Sequence, residues 1–261
     1  MNIIFIGDVV GKPGRESLRN TLPELRKRYE PGLVIANGEN VAGGAGINEK
    51  TYREILSCGV DVVTGGNHTW DRKEVFQFID KEVTLIRPAN LPEKTTPGRG
   101  VTIFKTAKGQ YTVAVINLQG RVFMTPVDCP FSAADRELEK LAGKVNAVIV
   151  DFHAEATSVK EAMGWHLDGR VSAVVGTHSH VQTADERILP QGTAYISDAG
   201  MTGLYDSILG VDPEGPLKRF TTQLPCRLKI SKGRKLFNAV IIHINVDSGK
   251  AESIERIFQI H

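Results

Sequence analysis

The chain has 261 residues, a net charge of +2 and 41% hydrophobic residues. That is enough for a sizeable core in one large α/β domain, residues 1–261, and too little charge to argue for a nucleic-acid or membrane-surface partner. Three cysteines without a CxxC speak against a disulfide framework and a thiolate metal site, and they predict reduced, mostly buried thiols.

The N-terminus, MNIIFIGD, reaches a carboxylate by residue 8. It lacks the basic region and the apolar length of a signal peptide, and no run is long enough to span a membrane. A cytoplasmic protein is expected. Residues 2–7 read as a buried strand. Residues 16–29 carry Leu18, Leu22, Leu25 and Tyr29 at helical spacing, with Pro23 expected to bend or split the helix. Residues 33–36 are the next strand. Asn48 can cap a helix over 49–58 that Gly59 ends, and residues 60–64 form a strand. Asp71 with Glu74 has the form of a capping box for a helix reaching Asp80. This alternation favours parallel pairing with right-handed crossovers.

Prolines and glycines break up residues 87–100. Residues 101–105 and 112–118 read as strands joined by a Lys108-Gly109 turn. Residues 133–141 are helical and 147–152 a strand. Ser158 with Glu161 caps a further helix that ends before Gly169, and 172–176 form a strand. Beyond it, 194–197, 223–231 and 236–245 suggest antiparallel strands, with a turn at Lys232-Gly233. Two packed sheets with helices outside are expected.

Five apolar runs end in residue types that bind metals. IIFIG stops at Asp8, LVIANG at Glu39 and Asn40, VVTGG at Asn67 and His68, VIVDF at His153, and AVVGT at His178 and His180. Strand ends of an α/β sheet collect at one rim, where ligands bind. In an extended segment, His178 and His180 project to the same side. Each residue has a plain alternative: a capping Asp8, a polar loop at Glu39-Asn40, a turn at Asn67, hydrogen-bonded histidines at 68 and 153. Five coincidences together are far less probable than any one. The set contains no sulfur, which excludes structural zinc of the cysteine type. Carboxylate, imidazole and amide oxygen suit Mn, Fe, Zn or Co. A carboxylate bridging two cations about 3.5–4 Å apart lowers the pKa of a shared water and binds both oxygens of a phosphate.

In this order, GD ending at Asp8, GEN ending at Asn40, GNH ending at His68, the lone His153 and GTHSH ending at His180 resemble the metallophosphoesterases (calcineurin-like phosphoesterases). Their pattern is D-x-H, GDxxD, GNHE, a lone H and GHxH. FIGDVVGKPGR, NGEN, GGNHTWD, RPAN, NLQGR, DFHAEATS, VVGTHSHVQTAD and ISDAGMTG resemble the YmdB-like branch of bacterial phosphodiesterases across essentially the whole chain. Val10 stands where the wider superfamily has a histidine, and Glu39 replaces its bridging aspartate. Both are features of the YmdB-like branch.

The resemblance implies a four-layer α/β/β/α sandwich of two mixed β-sheets flanked by helices. It implies two metal ions, iron or manganese. One would be held by Asp8, Glu39, Asn40 and His180, the other by Glu39, Asn67, His153 and His178, with Glu39 bridging. His68 would be the general acid. The substrates would be small phosphodiesters, 2′,3′-cyclic nucleotides above all and 3′,5′-cyclic AMP as a second candidate, cleaved by metal-activated hydroxide. The alternatives are a phosphomonoesterase or ribonuclease on the same metals, and a regulatory binding protein with little turnover. The absence of a basic, aromatic-rich groove leans against long RNA, and a homo-oligomer stays open.

Other residues carry weaker signals. Arg121 reads as a phosphate contact or a surface ion-pair partner. Glu155 reads as support for a ligand imidazole or as a helix cap. Residues 198–210 read as a mobile rim loop or an ordinary connection. The glycines at 43–46 lack GxxxxGK[ST] and make no P-loop. Trp70 and Trp165 read as packing residues.

Overall fold

The computed structural model describes residues 1–106, 109–230 and 232–261. In chain order the elements are β1 (Asn2–Ile6), β2 (Asp8–Val9), α1 (Gly11–Tyr29), β3 (Leu33–Asn37), α2 (Glu49–Ser57), β4 (Val62–Thr64), a 3-10 helix (Lys73–Gln77), β5 (Leu85–Ile86) and β6 (Val101–Lys105). There follow β7 (Thr112–Gln119), α3 (Pro130–Leu141), β8 (Ala147–His153), α4 (Thr157–Leu167), β9 (Ala173–Thr177), β10 (Arg187–Ile188), β11 (Ala194–Ile196), β12 (Met201–Leu204), α5 (Glu214–Thr222), β13 (Lys235–Ile244) and β14 (Ala251–Ile260).

One sheet runs β2-β12-β13-β1-β3-β4-β5, with β14 also paired to β13, and the other runs β10-β11-β9-β8-β7-β6. The alternating first half pairs in parallel from β1 through β3 and β4 to β5, as its order predicts. Antiparallel partners β13, β6 and β10 make both sheets mixed.

Period-two alternation decides the layering. In β1, Ile4 and Ile6 pack with Leu18 and Leu22 of α1 and Ile55 of α2. Ile3 and Phe5 turn the other way and pack with Val113, Val115, Ile149 and Val175 of the second sheet. Beyond that sheet, Val148, Val150 and Phe152 pack with Ala133 and Ala134 of α3 and Met163 and Leu167 of α4. The order is helix, sheet, sheet, helix: the expected fold class. Among the described residues no helix is long and apolar enough to cross a membrane.

Several local expectations fail for identifiable reasons. α1 starts at Gly11, ahead of Glu16, and continues through Pro23 without splitting. The Asp71–Glu74 signal yields only the 3-10 turn, capped by no side chain, because the Asp71 carboxylate is engaged by His68 Nδ1 at 2.8 Å. Ser158 lies inside α4, whose N-cap Ala156 makes no side-chain bond. Residues 224–230 form no strand and follow α5 instead. Ser231, and Lys108 of the expected turn, lie outside the described residues. Residues 194–196 pair in parallel with β9 as well as antiparallel with β10. Residues 198–210, read as a mobile rim loop or an ordinary connection, contain the buried strand β12. The cysteines are free and half-buried, and Trp165 is 56% exposed, whereas Trp70 stacks on Phe76.

The α2 start forms as expected. Asn48 Oδ1 accepts from the Thr51 N–H at 2.9 Å while Thr51 Oγ1 accepts from the Asn48 N–H at 3.4 Å. Asn48→Ala is expected to cost about 1 kcal/mol, read as a lower urea midpoint at unchanged slope.

Candidate metal centre

The inter-sheet face changes character at one end. In the phase that carries Leu33 and Ile35 on β3, the next residue is Asn37. Thr64 follows Val62 on β4, Asp151 and His153 follow Ile149 on β8, and Thr177 follows Val175 on β9. These five polar residues are fully buried. They join across the two sheets: Asp151 accepts from the Thr64 hydroxyl, from Thr177 Oγ1 at 2.7 Å and from Asn37 Nδ2 at 3.2 Å. A polar floor therefore closes the inter-sheet core, and the candidate ligands stand on it.

All seven sequence-derived ligand candidates, and His68, are brought to this one place. Glu39 follows β3 and is anchored by its N–H to Asn37 Oδ1 at 3.1 Å. Its Oε1 lies 3.0 Å from Asn40 Nδ2 and 3.2 Å from His153 Nε2. Its Oε2 accepts from the backbone N–H of His68 at 2.8 Å. His153 Nε2 in turn lies 2.9 Å from Asn67 Oδ1 and 3.1 Å from His178 Nδ1. On the other side of Glu39, Asn40 Nδ2 lies 3.2 Å from His180 Nε2, which is 3.8 Å from Asp8 Oδ1. The contacts thus form two groups that meet at Glu39 and again at Asp8, whose Oδ2 accepts from the His178 N–H at 3.2 Å.

Backbone freedom makes these approaches possible. A Cβ on Gly66 would lie 2.4 Å from Glu39 Oε2 and 2.6 Å from His153 Nε2, so only glycine fits there. His178 and His180 have positive φ, 103° and 65°, a strained backbone that the surroundings must hold. Between them, the Ser179 N–H donates to Asp198 Oδ2 at 2.9 Å, and the same oxygen receives buried Lys160 Nζ at 2.7 Å.

The hydrogen-bond directions describe an acceptor-rich centre. A carbonyl and a carboxylate only accept. His180 Nδ1 therefore donates to Leu209 O at 3.1 Å, and His178 Nε2 to Glu155 Oε2 at 3.0 Å. Both rings then turn an unprotonated nitrogen inward. Asp8 Oδ1 is buried there with no hydrogen-bond partner. Burial pushes the Asp8 carboxyl up, against the pull of His180 and His153. Burial also disfavours a charged His153, yet the Glu39 and Asp8 carboxylates outweigh it and hold its pKa high. Glu39 stays low against its own burial, chiefly through His153. His178 falls to about 4, first through burial and then through repulsion from His153. The high His153 and the low Glu39 say that the carboxylates draw positive charge to this centre, whereas the low His178 leaves that ring neutral with a lone pair to offer. Glu39, His153 and His178 bring one ligand atom each within 4.8 Å of one another, and the donor set is the N/O type that suits a transition-metal ion. The residues fit a metal.

His68 is 42% exposed at the rim, with its Nδ1 2.8 Å from Asp71 Oδ2. Glu155 reaches His178, as one of its two readings holds. Arg121 is exposed on the turn after β7, which the Gly120 N–H ties to His153 O at 2.9 Å. The quoted motifs contain Asn37, Asp71, Asp151, Thr177 and Asp198 but give them no role at the centre, and Thr64, Lys160 and Leu209 lie outside the motifs. A signal existed for one of them: Asp151 interrupts the apolar run VIVDF, where an unpaired carboxylate would be costly.

A profile of the family described as YmdB-like protein matches residues 4–257. The chain belongs to the YmdB-like family. This YmdB-like protein is 54% identical to the 2′,3′-cyclic-nucleotide 2′-phosphodiesterase of Bacillus subtilis (strain 168), over 98% of its own length and 96% of the relative's. Its fold matches a solved structure described as a novel phosphatase from Mycoplasma pneumoniae, with a TM-score of 0.93 at 35% identity, covering 100% of this chain and 93% of the other. A hypothetical protein from Thermus thermophilus matches with a TM-score of 0.92 at 42% identity, over 100% and 99% of the two chains.

Proposed function

We propose that this YmdB-like protein is a dinuclear-metal phosphodiesterase acting on small phosphodiesters, 2′,3′-cyclic nucleotides first among them. The convergence of Glu39, His153 and His178 on one centre carries the reading, and the activity named for the B. subtilis relative supports it. Asp8, Glu39, Asn40 and His180 would hold one ion, and Glu39, Asn67, His153 and His178 the other. Iron or manganese fits imidazole, carboxylate and amide donors without sulfur. When bound, such a pair supplies Lewis acidity to the phosphate and lowers the pKa of a nearby water. A single domain over residues 1–261 is part of the reading, supported by the core shared between the sheets. So is a cytoplasmic location, which suits three free cysteines.

His68 is the residue assigned to proton transfer. With Nδ1–H donated to the Asp71 carboxylate, the protonated His68 ring has its Nε2–H left to give. As the P–O bond to the ribose oxygen breaks, that hydrogen passes to the departing oxygen. The Asp71 carboxylate fixes the orientation of the ring for that transfer. The His68 N–H bond to Glu39 ties the acid to the proposed bridging carboxylate.

The test is a panel of 2′,3′-cyclic AMP, 3′,5′-cyclic AMP, 5′-AMP and short RNA with the metal-loaded protein. The highest kcat/KM is expected for 2′,3′-cyclic AMP. Faster release of phosphate from 5′-AMP would make the protein a phosphomonoesterase. Bound metal without turnover on any of the four would make it a binding protein.

A further inference from the structure

Asp151 has no part in the reading above, yet it is fully buried beside the centre. Its Oδ2 accepts from the Thr64 hydroxyl and from Asn37 Nδ2 at 3.2 Å, and its Oδ1 from the Thr177 hydroxyl at 2.7 Å. The Asn37 amide cannot be reversed, because its Oδ1 accepts from the Glu39 N–H at 3.1 Å and its second hydrogen goes to Gly65 O at 3.0 Å. A threonine hydroxyl has one hydrogen to give. With that hydrogen on Asp151, Thr177 Oγ1 can only accept from its other neighbour, His153 Nδ1, 2.8 Å away. The parallel ladder sets this contact, for His153 on β8 is the register partner of Thr177 on β9.

We propose that Asp151 and Thr177 are positioning residues: their carboxylate–hydroxyl–imidazole relay keeps the hydrogen of His153 on Nδ1 and leaves the Nε2 lone pair to the metal centre. This rests on His153 being a ligand. The relay matters most for this histidine because it is fully buried. His178 and His180 are half-buried, where water can serve as an acceptor; His153 has only the protein. Outer partners of this kind orient a ligand ring and select its tautomer.

Thr177→Val keeps the side-chain shape and removes the hydroxyl. Asp151→Asn reverses the relay. The new amide N–H donates to Thr177, whose hydrogen turns to Nδ1, and the His153 hydrogen moves to Nε2 inside the centre. Two measurements go together: zinc uptake by metal-stripped protein, and long-range 1H–15N spectra of the metal-free protein. Zinc affinity is expected to fall about 10–100-fold in both variants, and Thr177→Ser should restore it. A slowly exchanging His153 Nδ1 hydrogen is expected in the wild type and in Thr177→Ser, and in Thr177→Val its signal should shift and exchange faster, because Nδ1 loses its only close acceptor. Wild-type zinc affinity with an unchanged Nδ1 signal in Thr177→Val would overturn the relay. If the wild type takes up no zinc while the Nδ1 signal still follows the hydroxyl, the relay stands and His153 leaves the ligand set.

Discussion

Glu39→Gln is expected to give a folded protein that retains no metal pair and hydrolyses bis-p-nitrophenyl phosphate at the background rate. Glu39 is 1% exposed and its Oε1 touches both groups of candidate ligands, through Asn40 and His153. The substitution removes a full negative charge from a centre that otherwise offers Asp8 and neutral donors. It also places an N–H among lone pairs, where it donates to His153 or Asn67 and opposes a cation. Loss of metal affinity should exceed the ~10–100-fold typical of a supporting residue. The fold should persist, since a neutral amide is cheaper to bury than a carboxylate. Elemental analysis and thermal melting of the metal-free proteins check both halves. A variant with full metal content and full turnover would sink the two-ion assignment.

For His68→Ala we expect unchanged metal content and turnover lower by ~10²–10⁴-fold, the usual worth of a positioned acid. The side chain is 42% exposed and its ring is bonded to Asp71, itself outside the core, so truncation should leave the core and the centre alone. The loss should depend on the leaving group. A p-nitrophenolate departs without a proton, whereas a ribose alkoxide needs one. Cyclic nucleotides should therefore suffer far more than p-nitrophenyl esters. An equal loss on both would remove His68 from the acid role and leave it a positioning part.

Strand–helix alternation in the first half was legible because each strand is one apolar run bounded by polar residues, and the run itself decides burial. The short strands and the later part of the chain were less legible. β2 and β5 are two residues long and β12 four. Such pairings exist because other elements bring them together, and no local pattern announces them. β14, AESIERIFQI, mixes charge into a strand with much of its length exposed, so its hydrophobic signal is diluted. Asp71 was misread for a related reason. Its sequence context suits a helix cap, and a histidine three residues earlier competes for the same carboxylate.

The chemistry of the centre belongs to the sequence itself. Which donors are present, that none is sulfur, and that each ends an apolar run are properties of residue order, and they bound the class of ion and reaction. Only the tertiary structure decided how the donors face one another. Tautomers, the pairing of His178 with Glu155 and of His180 with Leu209, and the polar floor under His153 depend on distances between residues far apart in the chain, such as the 114 positions separating Asn37 from Asp151. Hydrogen bonds are short-ranged and directional, so a sequence can supply the partners but only the packed sheets can bring them into contact.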